Sequence, residues 1–408
     1  METTEKLIER PFYFERLWAQ VDVPVIKVLT GVRRCGKSTL LTQLAKRLRA
    51  EKLVAKIVEL NLESDDGLRI RRADDLADYL REAAPDKKER TYFFLDEVQH
   101  VPGWEDVVNA LRVSWDADIY LTGSNSTVLS GDLATNLAGR YVSMRVRPFT
   151  FRESAELYRE KGLSPDELFR LYLEFGGYPV LKFYDFDREN SLDYLRGVYD
   201  SAVRRDVVEH NAVRDVDAFD RVLSFAFGNI GHTFSANSIS RFLKSEHRAV
   251  SVDTVLNYLR FIEEAFLVDR VARFDVRGKE VLRAGEKYYA ADLGLRTMLG
   301  FSNSADIDQA LENIVYSELV ARGYEVYVGS VPQDGESARE VDFVARKDGQ
   351  ISYYQVCYLL AGTETVEREF GALEAIGDNY PKFVLSMDPL DRSRNGIIHR
   401  NLVDWLMG

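Results

Sequence analysis

The sequence predicts an α/β protein whose core, over residues 1–150, is a parallel sheet. A helical segment over 151–194, a helical and hairpin segment over 195–305 and a second α/β region over 306–408 follow it. Three observations carry this. The apolar run Val23 to Leu29 leads into a glycine-bounded loop and then a run with helical spacing, Thr39 to Leu48. A second apolar run, Arg90 to Glu97, ends in two acids. Beyond residue 305 the periodicities read helix, three strands, helix, strand.

The loop of the first unit is Gly31-Val-Arg-Arg-Cys-Gly-Lys-Ser38, which fits G-x-x-x-x-G-K-[ST]. Gly31 and Gly36 let the backbone turn so that successive N–H groups point at phosphate oxygens, and the helix that follows adds its positive end. Arg34, Cys35 and Thr39 complete the cradle. Lys37 is spaced to reach β- and γ-phosphates, and Ser38 to offer its hydroxyl to Mg²⁺. The motif thus predicts a nucleoside triphosphate site.

The run ending at Asp96-Glu97 supplies the other half of that chemistry. Asp96 is the expected second holder of Mg²⁺, and Glu97 is placed to polarise an attacking water. Glu97 beside Asp96 argues for hydrolysis rather than binding alone. A third strand, Asp118 to Leu121, runs into Thr122-Gly-Ser-Asn125. There Ser124 or Asn125 either orients the water or merely ends the strand in a turn. Arg140 closes a helix before the strand Tyr141 to Val146. It reads as a finger for γ-phosphate charge from a neighbouring subunit or domain, or as one more solvated arginine; Arg34 is a weaker candidate for that role.

From Phe151 to about Asp187 helical spacing takes over, with Ser164-Pro-Asp-Glu167 as a helix start. Gly176-Gly-Tyr-Pro179 is either a marker within a lid or a plain helix terminator. Ser235 to Lys244 and Ser251 to Phe266 read as helix-turn-helix. The alternating stretches Leu267 to Phe274, Lys279 to Leu282 and Lys287 to Ala290 read as a hairpin tipped by Arg277-Gly278, which makes a winged helix. A nucleic-acid role would use Ser251, Asp253, Thr254, Asn257 and Tyr258 in the groove, with Arg277 and Lys279 on the wing. Residues 241–296 carry eleven basic and nine acidic side chains, a weak field for DNA, and such modules also dock proteins.

GVRRCGKSTLL, FFLDEVQHVPGW, LTGSNS, LAGRY and GGYP together resemble the AAA+ superfamily P-loop ATPases of bacteria and archaea that carry a C-terminal domain of unknown function. The resemblance spans nearly the whole chain. It implies a P-loop NTPase core, a helical lid, and ATP with Mg²⁺ as ligands. ATP is implied rather than GTP because no guanine-reading tetrad follows. The superfamily name does not specify a substrate. The order helix Glu312 to Arg322, strands at Tyr324–Val331, Glu340–Ala345 and Ile351–Leu359, helix Val366–Ile376 and strand Lys382–Ser386 resembles the restriction-endonuclease-like fold. Glu312 and Asp342 match its first two site positions, while Gln355 and Cys357 stand where a carboxylate and a lysine are needed. Mg²⁺ prefers charged oxygen ligands, so nuclease activity is not expected.

Composition narrows the partners. The chain has 408 residues and a net charge of −12, unlike a nucleic-acid coat protein, and residues 306–408 hold nine basic against eighteen acidic side chains. Two cysteines, Cys35 and Cys357, cannot form a disulfide framework. The absence of a long apolar run and of a signal-like N-terminus predicts a cytoplasmic protein with no membrane contact. Its expected partners are ATP, a protein of unspecified identity, DNA if the winged helix reads it, and a second copy of the chain if Arg140 acts across subunits.

Overall fold

The computed structural model describes residues 8–51, 56–124, 128, 137, 139–209, 211–332 and 338–408, without the side chains of 205, 283 and 284. The chain divides into two compact units, residues 1–147 with 264–266, and 148–263 with 267–408.

In the first unit, helix α1 (Pro11–Trp18) precedes β1 (Ile26–Thr30), α2 (Lys37–Glu51), β2 (Lys56–Asn61), α3 (Ala73–Ala83), β3 (Thr91–Asp96), α4 (Trp104–Ser114), β4 (Ala117–Gly123) and β5 (Tyr141–Arg145). The sheet order is β2-β3-β4-β1-β5, and every pairing is parallel. β1 and β3 are buried along their whole length, as strands covered on both faces must be. Their apolar runs are therefore continuous rather than alternating. Leu40, Leu41, Leu44 and Leu48 of α2 are buried, and Leu76 and Leu80 of α3 join Phe93, Leu95 and Leu121 in one core. β2 is an edge strand with partial exposure, which is why the motifs do not reveal it.

A buried ion pair holds the N-terminal ends of the central strands. The Lys27 ammonium on β1 donates to Asp118 on β4 and to the Val23 carbonyl (2.7 Å). Asp118 also accepts from the Tyr120 hydroxyl (3.1 Å) and the Asp22 N–H (2.8 Å).

The second unit begins with α5 (Phe151–Leu157), α6 (Pro165–Phe175) and α7 (Arg188–Ser201), which runs on as a π-helix over Ala202–Glu209. At the helix start that the sequence predicts, Ser164 and Glu167 form a capping box. Gly176 has φ +73° and ψ −156°, a conformation open essentially to glycine. The Gly177 N–H donates to the buried Asp292 carboxylate (2.7 Å), so the double glycine is a docking turn and does more than stop a helix.

Then come α8 (Val216–Gly228), α9 (Ala236–Ser245), α10 (Val252–Glu264), β6 (Val268–Asp275), β7 (Glu280–Ala290) and α11 (Leu293–Met298). The chain finishes with α12 (Ile307–Ala321), β8 (Glu325–Val331), β9 (Arg339–Lys347), β10 (Gln350–Val356), α13 (Thr363–Glu374), β11 (Lys382–Ser386), β12 (Ile398–Asn401) and α14 (Leu402–Met407). The helix pair and antiparallel hairpin fall where the sequence predicts them.

One sheet has strands on both sides of residue 305. Its order is β12-β11-β10-β9-β8-β6-β7, with β6 pairing in parallel with β8. The hairpin is thus the edge of a seven-stranded sheet rather than a free wing, because β6 would otherwise leave a row of unpaired backbone groups. Its tip is engaged as well: Arg277 donates to the Pro332 carbonyl (3.1 Å), and the Lys279 ammonium lies 5.5 Å from the Tyr380 ring. Tyr258, expected to face a groove, is buried with its ring edge-on to Phe219. The helical period explains the difference. Val255, Tyr258, Leu259 and Ile262 form the inner stripe of α10 and leave Asp253, Leu256, Asn257 and Arg260 outside.

Candidate nucleotide site

The loop that leaves β1 lies at the point where the strand order reverses, with β2, β3 and β4 on one side and β5 on the other. Ligands gather at this position in open α/β sheets. Gly31 (φ +140°) and Gly36 (φ +100°) take backbone conformations closed to other residues, and Arg34, exposed, is left-handed at φ +63°. A Cβ on Gly31 would stand 2.0 Å from the Val146 carbonyl oxygen, so that glycine is demanded by close approach as well as by the turn. The Cys35 side chain is fully buried, its thiol 3.3 Å from the same carbonyl, and faces away from the cradle. Cys35 and Cys357 are both free thiols.

Lys37, 4% exposed, folds back over the loop. Its ammonium donates to the carbonyls of Gly31 (2.9 Å) and Val32 (3.3 Å) and lies 3.9 Å from the Glu97 carboxylate. Ser38 and Thr39, at the start of α2, are exposed. Asp96 lies at the end of β3, one strand beyond β4, and is hydrogen-bonded by Ser38, Thr122 and Asn61 (3.0 Å). Burial pushes its carboxyl above the ordinary range, while the Thr122 and Ser38 hydroxyls pull it back. A divalent cation would relieve that desolvation, and a hydroxyl beside a carboxylate at the mouth of a phosphate loop is the donor set Mg²⁺ takes.

Glu97 is left-handed (φ 58°, ψ 48°), an uncommon conformation for a non-glycine residue and one that collects at functional sites. Its N–H donates to Thr122 Oγ1 (2.9 Å), and the same hydroxyl donates to Asp96. Thr122 therefore ties the β4 tip to both acids. Ser124, buried, receives a hydrogen bond from Gln99 (3.3 Å). Asn125 lies outside the described residues.

Arg140 does not join this cluster. Its carbonyl accepts from the Ile26 N–H (2.9 Å), and Ile26 pairs with Tyr141, which places Arg140 at the opposite end of β1 from the loop. The strand between them is about 13 Å long, so Arg140 cannot serve the loop of its own chain. The motifs also missed Arg10. Its buried guanidinium donates to the Cys35 carbonyl (3.0 Å) and the Arg147 carbonyl (2.9 Å), bracing the back of the phosphate loop. Only a long-range contact identifies it.

The second unit brings together the acids that the sequence singled out there. The Asp342 N–H donates to Gln355 Oε1 (3.3 Å), and Asp342 Oδ2 accepts from the Val356 N–H (2.7 Å). Burial, then the neighbouring Glu312 charge, holds the Asp342 carboxyl well above its ordinary value. Lys287, from β7, enters this group unannounced by any motif. Its ammonium lies 3.1 Å from Glu312 and 2.7 Å from Glu340. Burial pulls Lys287 down, but Glu312, Asp342 and Glu340 together outweigh it and raise it. Cys357 is buried, which pushes its thiol up. Among the described residues no group of three or more His, Cys, Asp or Glu side chains could hold a metal ion.

An all-parallel sheet with this strand order, a phosphate loop leaving β1 and an acid pair two strands away define an AAA+ P-loop ATPase fold. The AAA domain family matches residues 24–155, and a domain of unknown function (DUF8612) matches residues 166–305. An uncharacterised protein of Haemophilus influenzae is 36% identical over 99% of this chain and 100% of its own length. Protein MJ1544 of Methanocaldococcus jannaschii is 29% identical over 86% of this chain and 78% of its own. The chain belongs to the AAA+ superfamily and to the same family as the Haemophilus protein. Among solved structures, the ORC1 protein of Aeropyrum pernix in complex with DNA is similar at 14% identity, covering 72% of this chain and 92% of that one, with a TM-score of 0.32. No helix among the described residues is long and apolar enough to cross a membrane.

Proposed function

We propose that this protein binds ATP with Mg²⁺ and hydrolyses it to drive a conformational change in a bound partner. The observation that carries the reading is the convergence of Lys37, Ser38, Asp96 and Glu97 at the C-terminal ends of β1 and β3. Loop N–H groups and the α2 N-terminus hold the phosphates, and Lys37 exchanges its loop carbonyls for β- and γ-phosphate oxygens. Bound Mg²⁺ would draw charge from those oxygens, with Ser38 and Asp96 as its holders. Water adds to the γ-phosphorus as its proton passes to the Glu97 carboxylate. The bond to the β–γ bridging oxygen breaks, leaving ADP and phosphate, and Glu97 returns the proton to solvent.

Steady-state phosphate release tests this. Lys37→Ala should abolish tight ATP binding, whereas Glu97→Gln should bind ATP and turn over at least about a hundredfold more slowly. Equal hydrolysis by Glu97→Gln and the parent rejects Glu97 as the base. Arg140 is assigned to a neighbouring copy's site, since its own is out of reach.

A second reading, a slow ATP-dependent regulator that docks a protein, is favoured by the hairpin tip. Arg277 and Lys279 are engaged beside Pro332 and Tyr380, which leaves the wing less to offer DNA. Hydrolysis rates with and without double-stranded DNA, single-stranded DNA and RNA separate the two, because stimulation by nucleic acid belongs to the first alone. For the region over 306–408 we propose an interaction module without nuclease activity. Gln355 and Cys357 lack the required charge, and Lys287 already neutralises two of the acids.

A further inference from the structure

Gln99 lies two residues beyond the proposed base, in the short 3₁₀ turn Val98–His100. Its amide nitrogen donates to Glu97 Oε2 (2.5 Å) and to Ser124 Oγ (3.3 Å), bridging the end of β3 to the tip of β4. The backbone makes room for it. Glu97 is left-handed where the turn begins, and a Cβ on Gly123 would stand 3.2 Å from Gln99 Oε1. Among the described residues that oxygen is buried without a hydrogen-bond partner, a cost the fold sustains at this amide. On the other flank of the same carboxylate, the Lys37 ammonium is 3.9 Å from Oε1.

From this geometry we infer that Gln99 is the positioning residue for Glu97. It anchors one carboxylate oxygen to the β4 tip so that the other stays on the loop side, facing Lys37. A glutamate side chain has three rotatable bonds, and an unanchored one would spend most of its time in rotamers that leave the water unserved. Asn61, on β2, bonds Asp96 rather than Glu97, so the described residues offer the base no other side-chain amide. The tie to Ser124 also makes the aim of Glu97 depend on where the β4 tip stands. Movement of that tip is thereby linked to the readiness of the base. The inference rests on the ATPase reading and deepens it.

The experiment is a double-mutant cycle on the full chain, read as kcat, KM and the dissociation constant of a non-hydrolysable ATP analogue. Gln99→Leu keeps the bulk and removes the donor. It should lower kcat by roughly tenfold to a hundredfold, the cost of a misplaced catalytic group, with the analogue bound within about threefold of the parent. Gln99→Glu, which sets a like charge against Glu97, should fall at least as far. In a Glu97→Gln background, Gln99→Leu should cost nothing further, because there is no base left to aim; a purely structural loss would persist in that background. An unchanged kcat in Gln99→Leu, a kcat loss matched by lost analogue affinity, or an additive cycle each overturns the inference. If the parent does not hydrolyse ATP, the ATPase reading itself fails; if Glu97→Gln hydrolyses it like the parent, Glu97 is rejected as the base and the inference falls with that assignment. With Glu97→Gln inactive and Gln99→Leu fully active, the positioning role alone is lost.

Discussion

Replacing Lys27 with methionine removes the cation of a buried pair and leaves everything else about its size in place. Lys27 and Asp118 are 1% and 2% exposed, and the carboxylate left behind would keep the Tyr120 hydroxyl and the Asp22 N–H as donors, with the Arg90 guanidinium 3.9 Å away. Truncating one partner of a buried pair costs about 3–5 kcal/mol, because the remaining charge is stranded in low dielectric. Two surviving hydrogen bonds and the Arg90 charge place Lys27→Met toward the lower end, at about 3 kcal/mol. Lys27→Met with Asp118→Leu strands no charge and should recover most of that loss. The assay is urea unfolding of the first unit followed by tryptophan fluorescence, with ATP-analogue affinity as a control. Lys27 lies at the far end of β1 from the phosphate loop, so the folded variant should bind nucleotide normally. A loss under about 1 kcal/mol, or a double variant no better than the single one, would refute the view that the pair is a desolvated interaction of two obligate partners.

Arg140→Ala should lower the hydrolysis rate by at least about a hundredfold with little change in nucleotide affinity, and parent activity should rise more than linearly with protein concentration. A linear dependence together with an active variant would remove Arg140 from any site. Asp292 is raised by burial from 3.8 to about 6 against the pull of backbone N–H groups at Gly177, Gly294 and Leu295. The folded state thus holds this proton more tightly than the unfolded chain. Its contribution is complete below pH 3.8 and is lost as pH rises through 6, by about 3 kcal/mol, a slope that Asp292→Asn should lack in urea melts between pH 4 and 7. In the second unit, Mg²⁺-dependent nicking of plasmid DNA should be absent from the parent, and its appearance would overturn the reading of Gln355 and Cys357 as a dead strand motif.

The linear sequence by itself determined the core of the proposed nucleotide site. A phosphate loop works through backbone conformation, and Gly31, Gly36, Lys37 and Ser38 impose that conformation within eight residues. Buried parallel strands need continuous apolar runs, so β1, β3 and β4 show their positions and Asp96 and Glu97 fall at a strand end by local rule. The capping box at Ser164 and the hairpin over β6 and β7 are equally local. Tertiary structure decided what depends on pairing between distant segments. Only the strand order puts Thr122 between the two acids, Gln99 against Ser124 and Arg140 at the wrong end of β1 for its own loop. Arg10 beneath the phosphate loop, Lys287 among the acids of another strand set, and β6 along β8 follow from contacts tens of residues apart. Hydrophobic period and turn chemistry act over a few residues. Which edge a strand pairs with, and which buried charge meets which, is set by the free energy of the whole packed unit, and no short stretch of chain records it.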